Sequence, residues 1–95
     1  MFESISVFEL KKLNNIEIID IRSIEKYNSN HILNAHNIPY EKLLIYPYKY
    51  LNKNQKYYIY CQKGNQSREL CKILKRMGYS TVNILGGYEA WILNE

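Results

Sequence analysis

The chain is poor in the residues that staple, kink or hinge a backbone: 2 cysteines, 2 prolines and 4 glycines stand among 95 residues. Two thiols do not make a disulfide scaffold, so both are expected to stay reduced. No apolar run approaches the roughly 20 residues that span a bilayer, which argues against an integral membrane protein. The opening MFESISVFEL has neither the basic start nor the long apolar stretch of a secretory signal. These absences make a small soluble cytoplasmic domain the expectation. The length allows one domain, residues 1–95, with a thin core that buries about 60–65% of the unfolded surface. No repeat, low-complexity block or flexible linker divides it.

Acidic residues are missing where basic ones gather. The net charge is +4, yet residues 1–41 carry −2 and residues 69–95 carry none. The whole excess sits in residues 42–68, on Lys42, Lys49, Lys53, Lys56, Lys63 and Arg68, with no acid between them. Such a stretch attracts and steers anions, although single lysines there read equally well as a solvated surface. Tyrosine is abundant, and 7 of the 10 lie between positions 40 and 60 among the lysines. Tyrosine and lysine interleaved can bind single-stranded nucleic acid. Packing in a strand and around Pro47 accounts for most of these rings, so no nucleic-acid partner is expected.

The hydrophobic pattern alternates strands with helices. Ser6 can cap a short helix through Leu13, with Val7, Leu10 and Leu13 on one face. Ile16 to Ile21 is β-branched and almost wholly apolar, as in a strand covered on both faces. Ser23 caps a second short helix, and His36 to Ile38 reads as a brief strand stopped by Pro39. Glu41 to Ile45 gives a helical turn or two that Pro47 breaks. Lys56 to Tyr60 is a strand. Asn65 to Met77 has helical spacing in Leu70, Cys71, Leu74 and Met77, followed by Gly78. Thr81 to Leu85 is a further strand, Gly86-Gly87 a turn, and Tyr88 to Leu93 a closing helix. This order predicts an α/β domain with a largely parallel sheet. Ligands of such sheets bind at the carboxyl ends of the strands. Asp20-Ile21-Arg22, Cys61 and Gly86-Gly87 all lie at such ends, and converge if their strands are neighbours.

The passage Cys61-Gln62-Lys63-Gly64-Asn65-Gln66-Ser67-Arg68 leaves a strand and enters a helix. A cysteine facing a helix N-terminus meets backbone N–H groups and the positive end of the dipole, and both favour thiolate over thiol. Lys63 and Arg68 act in the same direction if they point inward. Gly64 lets the loop curl until its amides face one centre. A bowl of amides around a nucleophilic sulfur can bind an anion and attack it. The alternative is a buried cysteine that merely ends a strand.

At these residues the chain resembles the rhodanese family of single-domain sulfurtransferases. Asp20-Ile21-Arg22 is similar to its D-[VI]-R, Tyr27 with His31-Ile32 to its E-[FY]…H-I, and Ala35 to Pro39 to its A-x-N-[IV]-P. Cys61-x-x-Gly64-x-x-Ser67 resembles the active-site loop, and Gly86-Gly87-x-x-x-Trp91 the closing G-G-x-x-x-W. The resemblance implies a central, mostly parallel sheet of about five short strands with helices on both sides. It implies a catalytic Cys61 that carries sulfur as a persulfide, with Gln62, Lys63, Gly64, Asn65, Gln66 and Ser67 binding the substrate. Asp20, Arg22 and Arg68 are implied as supporting residues. The chain departs from the family at Asn30 and Asn34, where two glycines are usual, at Leu33, where proline is, and at Gln62, often Arg. Lys63 stands where thiosulfate-using members often carry a basic residue, which favours a divalent anionic donor over mercaptopyruvate.

The resemblance implies no cofactor. Its partners would be a small anionic sulfur donor and an acceptor, which can be cyanide, a thiol or a sulfur-carrier protein. A persulfide carrier fed by another protein, or a non-catalytic interaction module, would preserve the same sequence features. Cell-cycle phosphatases of the same fold need C-x5-R to fork onto a phosphoryl group. Here Ser67 holds that sixth place, and no acid lies between Cys61 and Glu69. His31 and His36 have no further ligand in suitable spacing, so no metal is expected. Asp20, the only aspartate, can equally form a plain structural ion pair. Cys71 is expected in the core beside Leu70 and Leu74, a resolving thiol for Cys61 being the other reading.

Overall fold

The central strands are too apolar to leave either face in water, and the fold covers both. The structure, a computed structural model, describes residues 2–94. Along the chain run β1 (Glu3–Ile5), α1 (Val7–Leu10), β2 (Glu17–Asp20), α2 (Ile24–Ser29), β3 (His36–Asn37) and α3 (Tyr40–Ile45). They are followed by α4 (Pro47–Tyr50), β4 (Lys56–Tyr60), α5 (Asn65–Arg76), β5 (Ser80–Ile84) and α6 (Gly87–Leu93). The strands form one sheet in the order β1-β5-β4-β2-β3. Every neighbouring pair is parallel. This is the α/β architecture expected from the sequence.

The pleat sends alternate side chains to opposite faces. Ile19, Ile21, Tyr57, Ile59 and Cys61 go one way and meet Leu43 of α3 and Leu70, Cys71 and Leu74 of α5. Ile18, Tyr60 and Ile84 go the other way, against Val7 and Leu10 of α1 and Tyr88 of α6. Two covered faces are why these strands read as nearly continuous apolar runs. The hydroxyls of Ser6 and Ser23 cap α1 and α2, accepting the N–H of Glu9 and of Lys26. Among the described residues no helix is long and apolar enough to cross a membrane.

Several local expectations need correction. Helix α1 ends at Leu10 rather than Leu13, and Leu13 is exposed. Met77 is the C-cap of α5 and is also exposed, so it leaves the core stripe. Pro47 opens α4 as its first residue, where its missing N–H costs nothing. The tyrosines around it, Tyr46, Tyr48 and Tyr50, are exposed rather than packed. Neither α4 nor β1 was visible in the pattern. Topology then decides the site: β2, β4 and β5 are neighbours. Their carboxyl ends bring Asp20-Ile21-Arg22, Cys61 and Gly86-Gly87 to one edge of the sheet.

Candidate active site

Strand β4 ends at Tyr60, and the next residue turns its sulfur toward α5. Cys61 is 3% exposed. Gly64 caps α5 with φ +100, a left-handed angle that side chains strain to adopt. That turn aims two main-chain donors at the sulfur. The N–H of Gly64 lies 3.1 Å from Cys61 Sγ and that of Ser67 lies 3.4 Å away. The sulfur also sits at the positive end of a helix of 12 residues. The side chain is therefore buried against an apolar core on one side and lined by amides on the other. Ser67 is fully buried and its Oγ lies 3.4 Å from Sγ. Its hydroxyl donates to Asn83 Oδ1 on β5 at 2.6 Å and approaches the Gly64 carbonyl at 3.3 Å.

Helix α6 fixes the outer side of this loop. The first N–H groups of a helix have no partner within it. Here the Tyr88 N–H donates to the Cys61 carbonyl at 2.9 Å, and the Glu89 N–H to the Gln62 carbonyl at 3.1 Å. The Cys61 and Gln62 carbonyls are thus drawn toward α6, on the side away from the Gly64 and Ser67 N–H groups that face the sulfur. The approach is so close that only glycine fits at position 87. A Cβ there would collide with the Cys61 carbonyl oxygen and come within 2.9 Å of the Gln62 carbonyl group.

A buried ionic network braces the inner side. Asp20 is fully buried and accepts five hydrogen-bond contacts from Arg22 and Tyr60. The Arg22 Nη2 donates at 2.8 Å, the Arg22 main-chain N–H at 2.8 Å and the Tyr60 hydroxyl at 2.6 Å. Register places Asp20 beside Tyr60 on adjoining strands, which makes this convergence possible. Arg22 then reaches outward. Its Nη1 donates to the Gln62 Oε1 at 3.1 Å and its Nη2 to the Asn30 carbonyl at 2.6 Å. The guanidinium lies 4.3 Å from the Tyr88 ring centroid, a cation–π contact. Burial, with the hydrogen bond to Asp20, pushes the Tyr60 phenol above its usual range.

The residues singled out in the sequence divide into two groups. Gly64 and Ser67 touch the sulfur, Gln62 is tied to Arg22, and Asp20 and Arg22 form the brace. Lys63, Asn65, Gln66 and Arg68 lie exposed on the rim. Neither Lys63 nor Arg68 makes a side-chain hydrogen bond or ion pair with the described residues, and neither contacts Sγ. Lys63 borders an open groove of about 410 Å³, shared with Arg22, Lys26, Gln62, Tyr88 and Glu89. As first-turn residues of α5, Asn65 and Gln66 have N–H groups without intrahelical partners. Cys71 is 0% exposed in the core, where burial pushes its thiol up to about 11. His31 stacks on Tyr27 with ring centroids 3.8 Å apart, and His36 sits on the surface near Glu17. Among the described residues no group of three His, Cys, Asp or Glu side chains converges as a metal site would need.

Sequence reasoning passed over Tyr60, Asn83 and the tight packing of Gly87. The closing Gly-Gly pair reads as a turn, and nothing local says that the Tyr88 and Glu89 amides after it belong to carbonyls 27 residues earlier. A polar Asn83 in an apolar strand was the one available signal for a second buried network.

Comparison with known proteins agrees with this geometry. The model of the Rhodanese-like domain matches residues 7–94. The thiosulfate sulfurtransferase GlpE of Coxiella burnetii is 33% identical over 95 residues, covering 96% of this chain and 88% of that protein. The adenylyltransferase and sulfurtransferase uba4 of Ogataea parapolymorpha is 32% identical over 90 residues, which are 94% of this chain but 23% of that protein. The crystal structure of a rhodanese-related protein from Thermoplasma volcanium superposes with a TM-score of 0.89 at 28% identity, over 98% of this chain and 93% of that one.

Proposed function

This chain belongs to the rhodanese-like domain family, and on that premise we propose that it is a sulfurtransferase working through a persulfide on Cys61. The observation that carries this reading is the pair of N–H groups, from Gly64 and Ser67, directed at Cys61 Sγ. Main-chain donors placed in advance stabilise charge on a thiolate and on a bound sulfur without reorganising. The donor is an anion, with thiosulfate as the proposed case. Cys61 attacks its outer sulfur. The new S–S bond forms as the donor's S–S bond breaks, and sulfite leaves with the electron pair. The negative charge then rests on the outer sulfur, where the amides of residues 62–67 hold it.

Lys63 is assigned to attracting the donor from the rim of the groove rather than to holding the sulfur. Asp20 and Arg22 are supporting residues that keep Gln62 and the loop in place. Arg68 contributes only general positive charge. A nucleophilic acceptor, such as cyanide, a thiol or a sulfur-carrier protein, removes the sulfur and restores the thiolate. A second reading is a persulfide relay fed by a protein partner. It is favoured by the near-complete burial of Cys61, and by the relative in which the matching region is about a quarter of an adenylyltransferase and sulfurtransferase.

Intact mass after treatment with thiosulfate tests the proposal. One added sulfur, removable by a reductant, is expected on the natural chain and on Cys71→Ser, and none on Cys61→Ser. Equal loss in both variants would overturn the assignment of Cys61. If no sulfur arrives from thiosulfate but it does from a persulfidated protein, the relay reading is the correct one.

A further inference from the structure

Asn83 is an amide in a place built for a hydrocarbon. It lies in β5 opposite Ile59 and is 1% exposed. Packing alone does not ask for a polar group there, since a buried amide without a partner is destabilising. Among the described residues, its one side-chain hydrogen bond comes from the Ser67 hydroxyl, at 2.6 Å. That hydroxyl has a single proton and three acceptors within reach. Asn83 Oδ1 is nearest at 2.6 Å, the Gly64 carbonyl is at 3.3 Å and Cys61 Sγ at 3.4 Å. The shortest contact takes the proton, so the sulfur faces an oxygen lone pair.

A lone pair suits some states of the sulfur and not others. A thiol can donate its S–H to the Ser67 oxygen. A thiolate can only be repelled by it, and is left with the N–H groups of Gly64 and Ser67. In a persulfide the charge moves to the outer sulfur, and Sγ no longer needs the hydroxyl proton. We propose that Asn83 is a positioning residue that holds the Ser67 proton away from Cys61, and so biases the site toward its protonated and sulfur-loaded forms and against the free thiolate. The loading half of this statement rests on the sulfurtransferase reading; the thiol–thiolate half does not. The exchange is balanced, with thiolate and thiosulfate giving persulfide and sulfite, and needs no outside oxidant. The site becomes a better holder of sulfur and a slower nucleophile than its amides alone would make it.

Other groups around the sulfur are left untouched by changing Asn83. They are Cys71 on α5, the Asp20–Arg22–Tyr60 network behind Gln62, Tyr88 and Glu89 on α6, and exposed Lys63 and Arg68.

The test uses the full chain carrying Cys71→Ser, which leaves Cys61 as the only thiol. Its alkylation rate is followed against pH, and its loaded-to-free ratio is measured by intact mass in a fixed mixture of thiosulfate and sulfite. Asn83→Ala leaves the Ser67 proton a choice between the neutral Gly64 carbonyl at 3.3 Å and Sγ at 3.4 Å, and the ionised sulfur is the stronger acceptor. The alkylation profile should therefore move to lower pH, with about tenfold more thiolate on its rising limb, the worth of one hydrogen bond to a charged group. The substitution should also lower the loaded-to-free ratio several-fold. In a Ser67→Ala background the same substitution should change neither quantity. An unshifted profile in Asn83→Ala, or an equal shift without the Ser67 hydroxyl, overturns the proposal. If Asn83→Ala does not fold, Asn83→Val fills the space without an acceptor and must give the same shift. A protein that never acquires sulfur, yet shows the shifted profile, would refute the sulfurtransferase reading and leave the Asn83 assignment standing.

Discussion

Replacing Gly87 by alanine tests whether α6 shapes the cysteine loop. Gly87 has φ +59, and forcing a residue with a Cβ into that region costs about 1 kcal/mol. The added carbon would also strike the Cys61 carbonyl oxygen and crowd the Gln62 carbonyl. To make room, the loop must leave α6. It then loses the bonds from Tyr88 N–H, 2.9 Å, and Glu89 N–H, 3.1 Å, which are worth about 1 kcal/mol each. The total is about 3 kcal/mol, a large part of the stability of a chain this size. Gly78→Ala is the control. It has φ +96, but its Cβ would meet only the flexible end of Lys53 at 3.3 Å. Its cost is therefore the backbone strain alone, about 1 kcal/mol. Urea unfolding should place Gly87→Ala about 2 kcal/mol below Gly78→Ala, and sulfur acquisition from thiosulfate should fall about 100-fold in the first and little in the second. Equal stability in the two variants would refute the claim that α6 clamps the loop.

Three further outcomes follow from the same geometry. Asp20→Asn leaves the Arg22 charge buried without its counter-ion, and urea unfolding should show a loss of about 3–5 kcal/mol; a loss below about 1 kcal/mol would mean the network is slack. Stability should fall in alkaline solution, because Cys71 ionises at about 11 in the folded chain and about two units lower when unfolded. The contribution is whole below about pH 9 and is lost as pH rises through 11, about 3 kcal/mol in all. Tyr60, also raised, adds to the fall; Cys71→Ser should flatten the curve, and an unchanged slope would refute the assignment. Lys63→Ala should raise the thiosulfate KM several-fold with little change in kcat; an unchanged KM removes Lys63 from the path of the donor.

Where the sequence spoke clearly, a strong local signal coincided with the final structure. Ile18-Ile19 and Tyr57 to Tyr60 are β-branched or aromatic and doubly covered, so their strand nature needed no context. Ser6 and Ser23 are caps whose partners lie three residues on. The run Leu70, Cys71, Leu74 kept helical period until Met77, where the helix ended and the period lost its meaning. β1 escaped notice because Glu3-Ser4-Ile5 is short, polar and half exposed, and is a strand only because β5 lies beside it. α4 escaped because Pro47 is read locally as an ending, while here it begins a new turn.

By itself the sequence determined a cysteine at a strand end, a glycine-turned loop and a helix to follow it, since these depend on residues within one short span. It also determined that the sheet would be covered on both faces, because no polar alternation marks one side for water. Tertiary structure alone decided what surrounds the sulfur. Asp20 meets Tyr60 across a strand pair, Asn83 meets Ser67 across the sheet and helix, and the first amides of α6 reach back to Cys61 and Gln62. Each of these contacts joins residues 16 or more positions apart, and a hydrogen bond's partner is chosen by proximity in space, which no local pattern records.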